Sequence, residues 1–129
     1  MKIKKVVFEP MNEIHENEVK ILKKLLEKIE KQEPLQKEFD EFFEDVKQHF
    51  EFEENLMKKY GFFAYVPHKM EHDRIINELN EVKKHLNEYE WLKKYFKEYF
   101  LPWLDNHIAT IDTVTGGFLN MVGASPTQK

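Results

Sequence analysis

The chain has 129 residues, 41 % of them apolar and 34 % charged, with a formal charge of −4 and both signs interspersed. That length suits one domain with a single core, and the lack of a basic patch argues against nucleic acid as a partner. There is no cysteine, which excludes disulfides, zinc–thiolate sites, thiol catalysis and iron–sulfur clusters.

The start, "MKIKKVVFEPMNE", has no long apolar run of the signal-peptide kind, and no stretch is apolar enough for a transmembrane helix. A cytoplasmic protein without a membrane partner is expected. From about residue 12 onward, helical periodicity dominates. The first segment spans about 12–31, with Asn12 as its expected N-cap and Val19, Leu22, Leu25 and Ile29 on one face. Pro34 interrupts it and opens the second segment, about 34–60, whose stripe is Leu35, Phe39, Phe42, Phe43, Val46, Phe50 and Met57. Gly61 is placed to cap its C-terminus.

Pro67 can open the third segment, about 67–87, with Ile75, Ile76, Leu79, Val82 and Leu86. The fourth, about 89–115, carries a regular stripe from Trp91 through Tyr95, Phe96, Tyr99, Phe100, Trp103 and Leu104 to Ile111, which reads as core along most of its length. Pro102 predicts a kink or break within it. The tail, about 116–129, contains "GG" and is ambiguous, and its last residues are expected to be disordered. Four amphipathic segments joined by short loops predict an all-α, up-down-up-down four-helix bundle, one domain over 1–129.

Polar residues interrupt every stripe. His15 shares the face of Val19 and Leu22. His49 and Glu53 are four apart, about 40° around a helix, on the face of Val46 and Met57. His68 and His72 are again four apart and lead into Ile75, Ile76 and Leu79. His107 extends the fourth stripe, and Asp112 follows Ile108 by four. A buried carboxylate costs several kcal/mol unless paired or metal-bound. Two of them beside five histidines, drawn from all four helices, point to a metal cluster in the bundle core. Seven donors exceed what one zinc takes and suit two ions with bridging carboxylates. Imidazole and carboxylate without sulfur suit iron, and also zinc, copper or nickel. By contrast, His85 reads as surface or boundary, and Glu51 and Glu54 read as solvated surface.

These motifs, "NEIHENEV", "HFEFEENLM", "HKMEH" and "WLDNHIATID", resemble in order and spacing those of the hemerythrins, specifically the single-domain bacterial type (bacteriohemerythrins). The resemblance covers about residues 8–115 and includes the 19-residue step from His49 to His68 and the 35-residue step from His72 to His107. It implies reversible O2 binding at a non-heme di-iron centre with an oxo or hydroxo bridge, for oxygen storage, delivery or scavenging rather than catalysis. By carry-over, His68, His72 and His107 would hold one iron, and His15 and His49 the other, which keeps an open position. Glu53 and Asp112 would bridge the two. Phe50, Trp103 and Leu104 would wall the O2 pocket. The protein partner and the oligomeric state, a monomer or a small oligomer, are left open.

Three departures from the family pattern stand out. Asn12 and Ile14 occupy positions where an acid and a glutamine are common. The tail "TVTGG" replaces a charged continuation, so the fourth helix is expected to end early. Glu18, three residues after His15, stands where an apolar residue is usual. On one reading it turns to solvent or pairs with a lysine. On the other it reaches the open iron as an extra ligand or proton donor, shifting the chemistry towards a di-iron peroxidase, oxidase or NO reductase. An oxygen- or iron-sensing module is the remaining alternative.

Overall fold

The computed structural model describes residues 3–125, so the expected disorder of the last residues falls on 126–129, outside the described residues. Four helices form an up-down-up-down bundle, with no strand among the described residues. The first, α1, is Glu9–Glu30, α2 is Gln36–Lys59, and α3 is Tyr65–Val82, extended by a 3₁₀ turn at Lys83–His85. The fourth, α4, is a continuous helical run over 89–121. None is long and apolar enough to cross a membrane.

Asn12 is not the N-cap of α1. The helix begins earlier, at Glu9, with Pro10 in its first turn, where a missing N–H costs nothing. Asn12 lies inside the helix and clasps the preceding segment instead. Its Oδ1 accepts from the Val6 N–H at 2.8 Å, and its Nδ2 donates to the Val6 carbonyl at 2.8 Å. This draws Val6 and Phe8 into the core.

Gly61 does terminate α2. It adopts φ 66°, and the Phe62 N–H bonds the Met57 carbonyl at 2.9 Å, closing a Schellman turn. The segment after Asp112 stays helical as far as Met121, so the expected early end is overturned. Gly116 is not a helix stop. A Cβ there would lie 3.3 Å from Val6, so the glycine allows the N-terminal segment to pack closely against α4.

Two π turns interrupt α4, at Phe96–Phe100 and Ile108–Asp112. The first ends two residues before Pro102, which has no N–H to give the preceding turn, so the predicted break takes this form. The extra residue changes which rings face inward. The stripe is core along most of its length, with Leu92, Tyr95, Phe96, Phe100, Leu104 and Ile108 buried, whereas Tyr99, 57 % exposed, and Trp91, 39 % exposed, face solvent.

Candidate metal centre

The second π turn lies between His107 and Asp112. In a regular α-helix, residues five apart diverge by about 140°. A π turn, closed by i→i+5 hydrogen bonds, brings them back towards one face. Thr113 supports the wide turn by donating its hydroxyl to the Ile108 carbonyl at 2.8 Å. His107 Nε2 thereby reaches Asp112 Oδ1 at 3.2 Å.

All five stripe histidines and both carboxylates are buried, none more than 3 % exposed. Each carboxylate divides its oxygens between two groups of imidazoles. Glu53 turns Oε1 to His68 and His72, at 3.4 and 3.2 Å, and Oε2 to His49 and His15, at 2.7 and 3.8 Å. Asp112 turns Oδ1 to His68 and His107, each at 3.2 Å, and Oδ2 to His15 at 3.1 Å. Donor atoms of Glu53, His68, His72 and His107 lie within 4.8 Å of one another, and so do those of His15, His49, Glu53 and Asp112.

Most inward-facing atoms make no hydrogen bond among the described residues. The Nε2 atoms of His15, His68, His72 and His107, Oε1 of Glu53 and both Asp112 oxygens approach one another but complete no hydrogen bond. Buried polar groups are normally satisfied, so a cluster of orphans converging on one point fits bound cations.

The electrostatics agree. Burial works against charge on His15 and His68, but their contacts with Asp112 and Glu53 prevail and raise both pKa values to about 9. On His49 burial is likewise outweighed, by the charges of Glu53 and Glu18, and its pKa rises well above the usual value. Burial pushes Glu53 up, but His49 and its other imidazole contacts hold it well below the carboxylate range. Asp112 is pushed up by burial and by Glu53, yet His107, His15 and His68 hold it low. Protons on the imidazoles balance the acids when no cation does, so metal uptake displaces protons.

The outer nitrogens show what the sequence did not. His49 Nδ1 meets Glu18 Oε1 at 2.8 Å, His72 Nδ1 meets Glu54 Oε2 at 2.8 Å, and His68 Nδ1 meets Thr115 Oγ1 at 2.8 Å. Glu18, 2 % exposed, turns neither to solvent nor into the two donor groups. Glu54 is not solvated surface, since its side chain is 17 % exposed. Such outer partners fix the tautomer and orientation of a ligating imidazole. Phe50 stacks on His72 at 3.8 Å, Trp103 stacks on His107 at 4.6 Å, and Leu104 is buried beside them in the chain. His85 lies at the boundary, within the expected surface or boundary placement, bonded to Glu88 at 2.8 Å and stacked on Trp91.

Residues 6–119 match the Hemerythrin family, described as the Hemerythrin HHE cation binding domain. The chain belongs to the hemerythrin family. It is 38 % identical over 120 residues to the Bacteriohemerythrin of Aquifex aeolicus (strain VF5), covering 88 % of this chain and 91 % of that protein. It is 26 % identical over 118 residues to the Bacteriohemerythrin of Methylococcus capsulatus (strain ATCC 33009 / NCIMB 11132 / Bath), covering 90 % and 82 %. No solved structure matches it. The family description agrees with the cation-binding character of the buried cluster.

Proposed function

We propose that this hemerythrin-family chain binds O2 reversibly at a di-iron centre held by His15, His49, Glu53, His68, His72, His107 and Asp112. The observation that carries the reading is that Glu53 and Asp112 together stand between two groups of imidazoles, His68, His72 and His107 on one side and His15 and His49 on the other, each carboxylate turning one oxygen to each group. Two positions joined by two bridging carboxylates follow from it. The side with only His15 and His49 would give a bound ion one imidazole fewer than the other side, which would leave room for a small diatomic molecule. A paired iron centre supplies the two electrons that such binding draws on and recovers on release.

The chain's own residues prepare the site. Glu18, Glu54 and Thr115 face the Nδ1 atoms of His49, His72 and His68, so each Nε2 faces inward and would offer a lone pair once a cation displaces any proton there. Phe50 and Trp103 cover His72 and His107 with apolar rings, which limits the water and protons that promote irreversible oxidation. A cleft of about 470 Å³ lined in part by Ile14, Asn17, Asp45 and His49 approaches the two-histidine side from solvent. The placement of Glu18 on the outer nitrogen of His49 favours carriage over the reading in which it fills the open position.

The test is metal analysis combined with optical spectra. Two irons per chain and an absorption band that appears with O2 and fades under vacuum are expected. An iron-loaded protein whose spectrum ignores O2 would sink the proposal.

A further inference from the structure

The aromatic residues of α4 make a chain of rings that begins at His107 and ends at the surface. Trp103 stacks on His107, with centroids 4.6 Å apart and planes 24° from parallel. Phe100 lies 5.9 Å from Trp103, and Tyr95 lies 6.4 Å from Phe100. Trp91 stacks on Tyr95 at 5.9 Å and 7°, and Tyr99 at 6.4 Å and 17°. His107 is buried at one end, whereas Trp91 and Tyr99 are open to solvent at the other.

Core packing accounts for the inner rings but not for the rest. A stripe serving only the core would not finish in an exposed tryptophan and tyrosine. Both oxidisable inner rings also rest on carboxylates of α3, which satisfy their polar hydrogens and place a negative charge beside each ring. The Trp103 Nε1–H donates to Glu71 Oε1 at 2.9 Å, and the Tyr95 hydroxyl donates to Glu78 Oε1 at 2.6 Å. A carboxylate at an indole N–H stabilises positive charge on that ring. One at a phenol can receive the proton that a tyrosine sheds when it loses an electron.

The geometry points to Trp103, Tyr95 and Trp91 as an electron route that carries oxidising equivalents from the His107 side of the centre to the surface. The oxidant is a hydroperoxide acting at the centre, and the reductant is a soluble one-electron donor of the hydroquinone class. The inference rests on the proposal that a redox metal sits beside His107.

Trp103 gives up one electron towards the centre, and its radical cation is held beside Glu71. Tyr95 refills Trp103, passes its phenolic proton to Glu78 and becomes a neutral tyrosyl radical, with Phe100 filling the space between the rings. The donor reduces Tyr95 through exposed Trp91, and the proton returns from Glu78. Two such passages supply two electrons. With the two protons that the donor releases, the hydroperoxide is reduced to water and the corresponding alcohol, or to two waters when it is hydrogen peroxide.

The experiment treats the iron-loaded protein with hydrogen peroxide, freezes it within milliseconds and records electron paramagnetic resonance spectra. A tyrosyl signal is expected in the unaltered chain. Tyr95→Phe, which keeps the ring and loses the hydroxyl, should abolish that signal and leave a tryptophan radical in its place. Trp103→Phe, compared at equal iron content, should lower the tyrosyl yield about tenfold. A Tyr95→Phe protein with an unchanged signal overturns the route, as does an iron-loaded unaltered chain that consumes peroxide without forming any protein radical. If the Tyr95-dependent radical forms but the spectrum ignores O2, reversible carriage fails and the route stands. If no iron loads, both fall.

Discussion

Replacing Glu18 by glutamine isolates the buried carboxylate behind His49. The carboxylate is 2 % exposed and lies 2.8 Å from His49 Nδ1. Glutamine can still accept from the Nδ1–H, so the variant removes the charge and keeps the contact. A hydrogen bond to a charged group contributes about 1.5–3 kcal/mol. Loss of an outer partner to a ligating histidine costs about 10–100-fold in metal affinity. At about 1.4 kcal/mol per factor of ten, the two ranges coincide. We therefore expect Glu18→Gln to weaken iron binding about tenfold, and Glu18→Leu, which leaves the Nδ1–H without an acceptor, to approach a hundredfold. Chelator competition at fixed pH measures both, with the denaturation midpoint of the metal-free protein as a check on folding. An affinity for Glu18→Gln within about twofold of the unaltered chain would mean that Glu18 only fills space, and the argument for its role would fail.

Other outcomes follow from the same geometry. The raised pKa values of His15 and His68, about 9 against 6.5 unfolded, stabilise the metal-free fold most below pH 6.5. That contribution is lost as pH rises towards 9, so denaturant midpoints of the metal-free protein should fall across that window. The metal-loaded protein should instead release its metal on acidification, as imidazoles compete for protons, and a midpoint of the metal-free form that climbed between pH 6.5 and 9 would contradict the sign. Thr115→Val should weaken iron binding about tenfold by stranding the Nδ1–H of His68, and chelator competition with no measurable change would show the hydroxyl to be dispensable. Asn12→Ala should cost about 2–4 kcal/mol, since it leaves the N–H and carbonyl of buried Val6 without partners. A loss below about 0.5 kcal/mol by denaturant titration would show that the N-terminal segment is held by its apolar contacts alone.

The seven inward residues were legible because α-helical spacing reports which face of a helix is buried. His49 with Glu53, and His68 with His72, each lie four apart on a face already marked by apolar neighbours. The five-residue step from His107 to Asp112 fitted that rule poorly until the π turn restored the alignment. The outer partners escaped because they are contacts between helices. Glu54 projects from the edge of α2 towards His72 on α3, and Thr115 from α4 towards His68 on α3, while periodicity within one helix says nothing about what a side chain meets across a groove. Glu18 carried a usable signal: it precedes Leu22 by four and Leu25 by seven, which places it on the buried face, and a buried carboxylate requires a partner. The tail misled for a different reason. The glycines at 116 and 117 read as a helix stop, yet Gly116 serves a close approach to Val6, a tertiary demand with no local signature. The two kinds of residue answer different chemical questions. The inward set fixes how many cations the core can hold and which donors they meet. The outer set, Glu18 above all, fixes how His49 is oriented and how strongly it would donate to a cation held there. The character of the site thus depends on contacts that only the assembled bundle reveals.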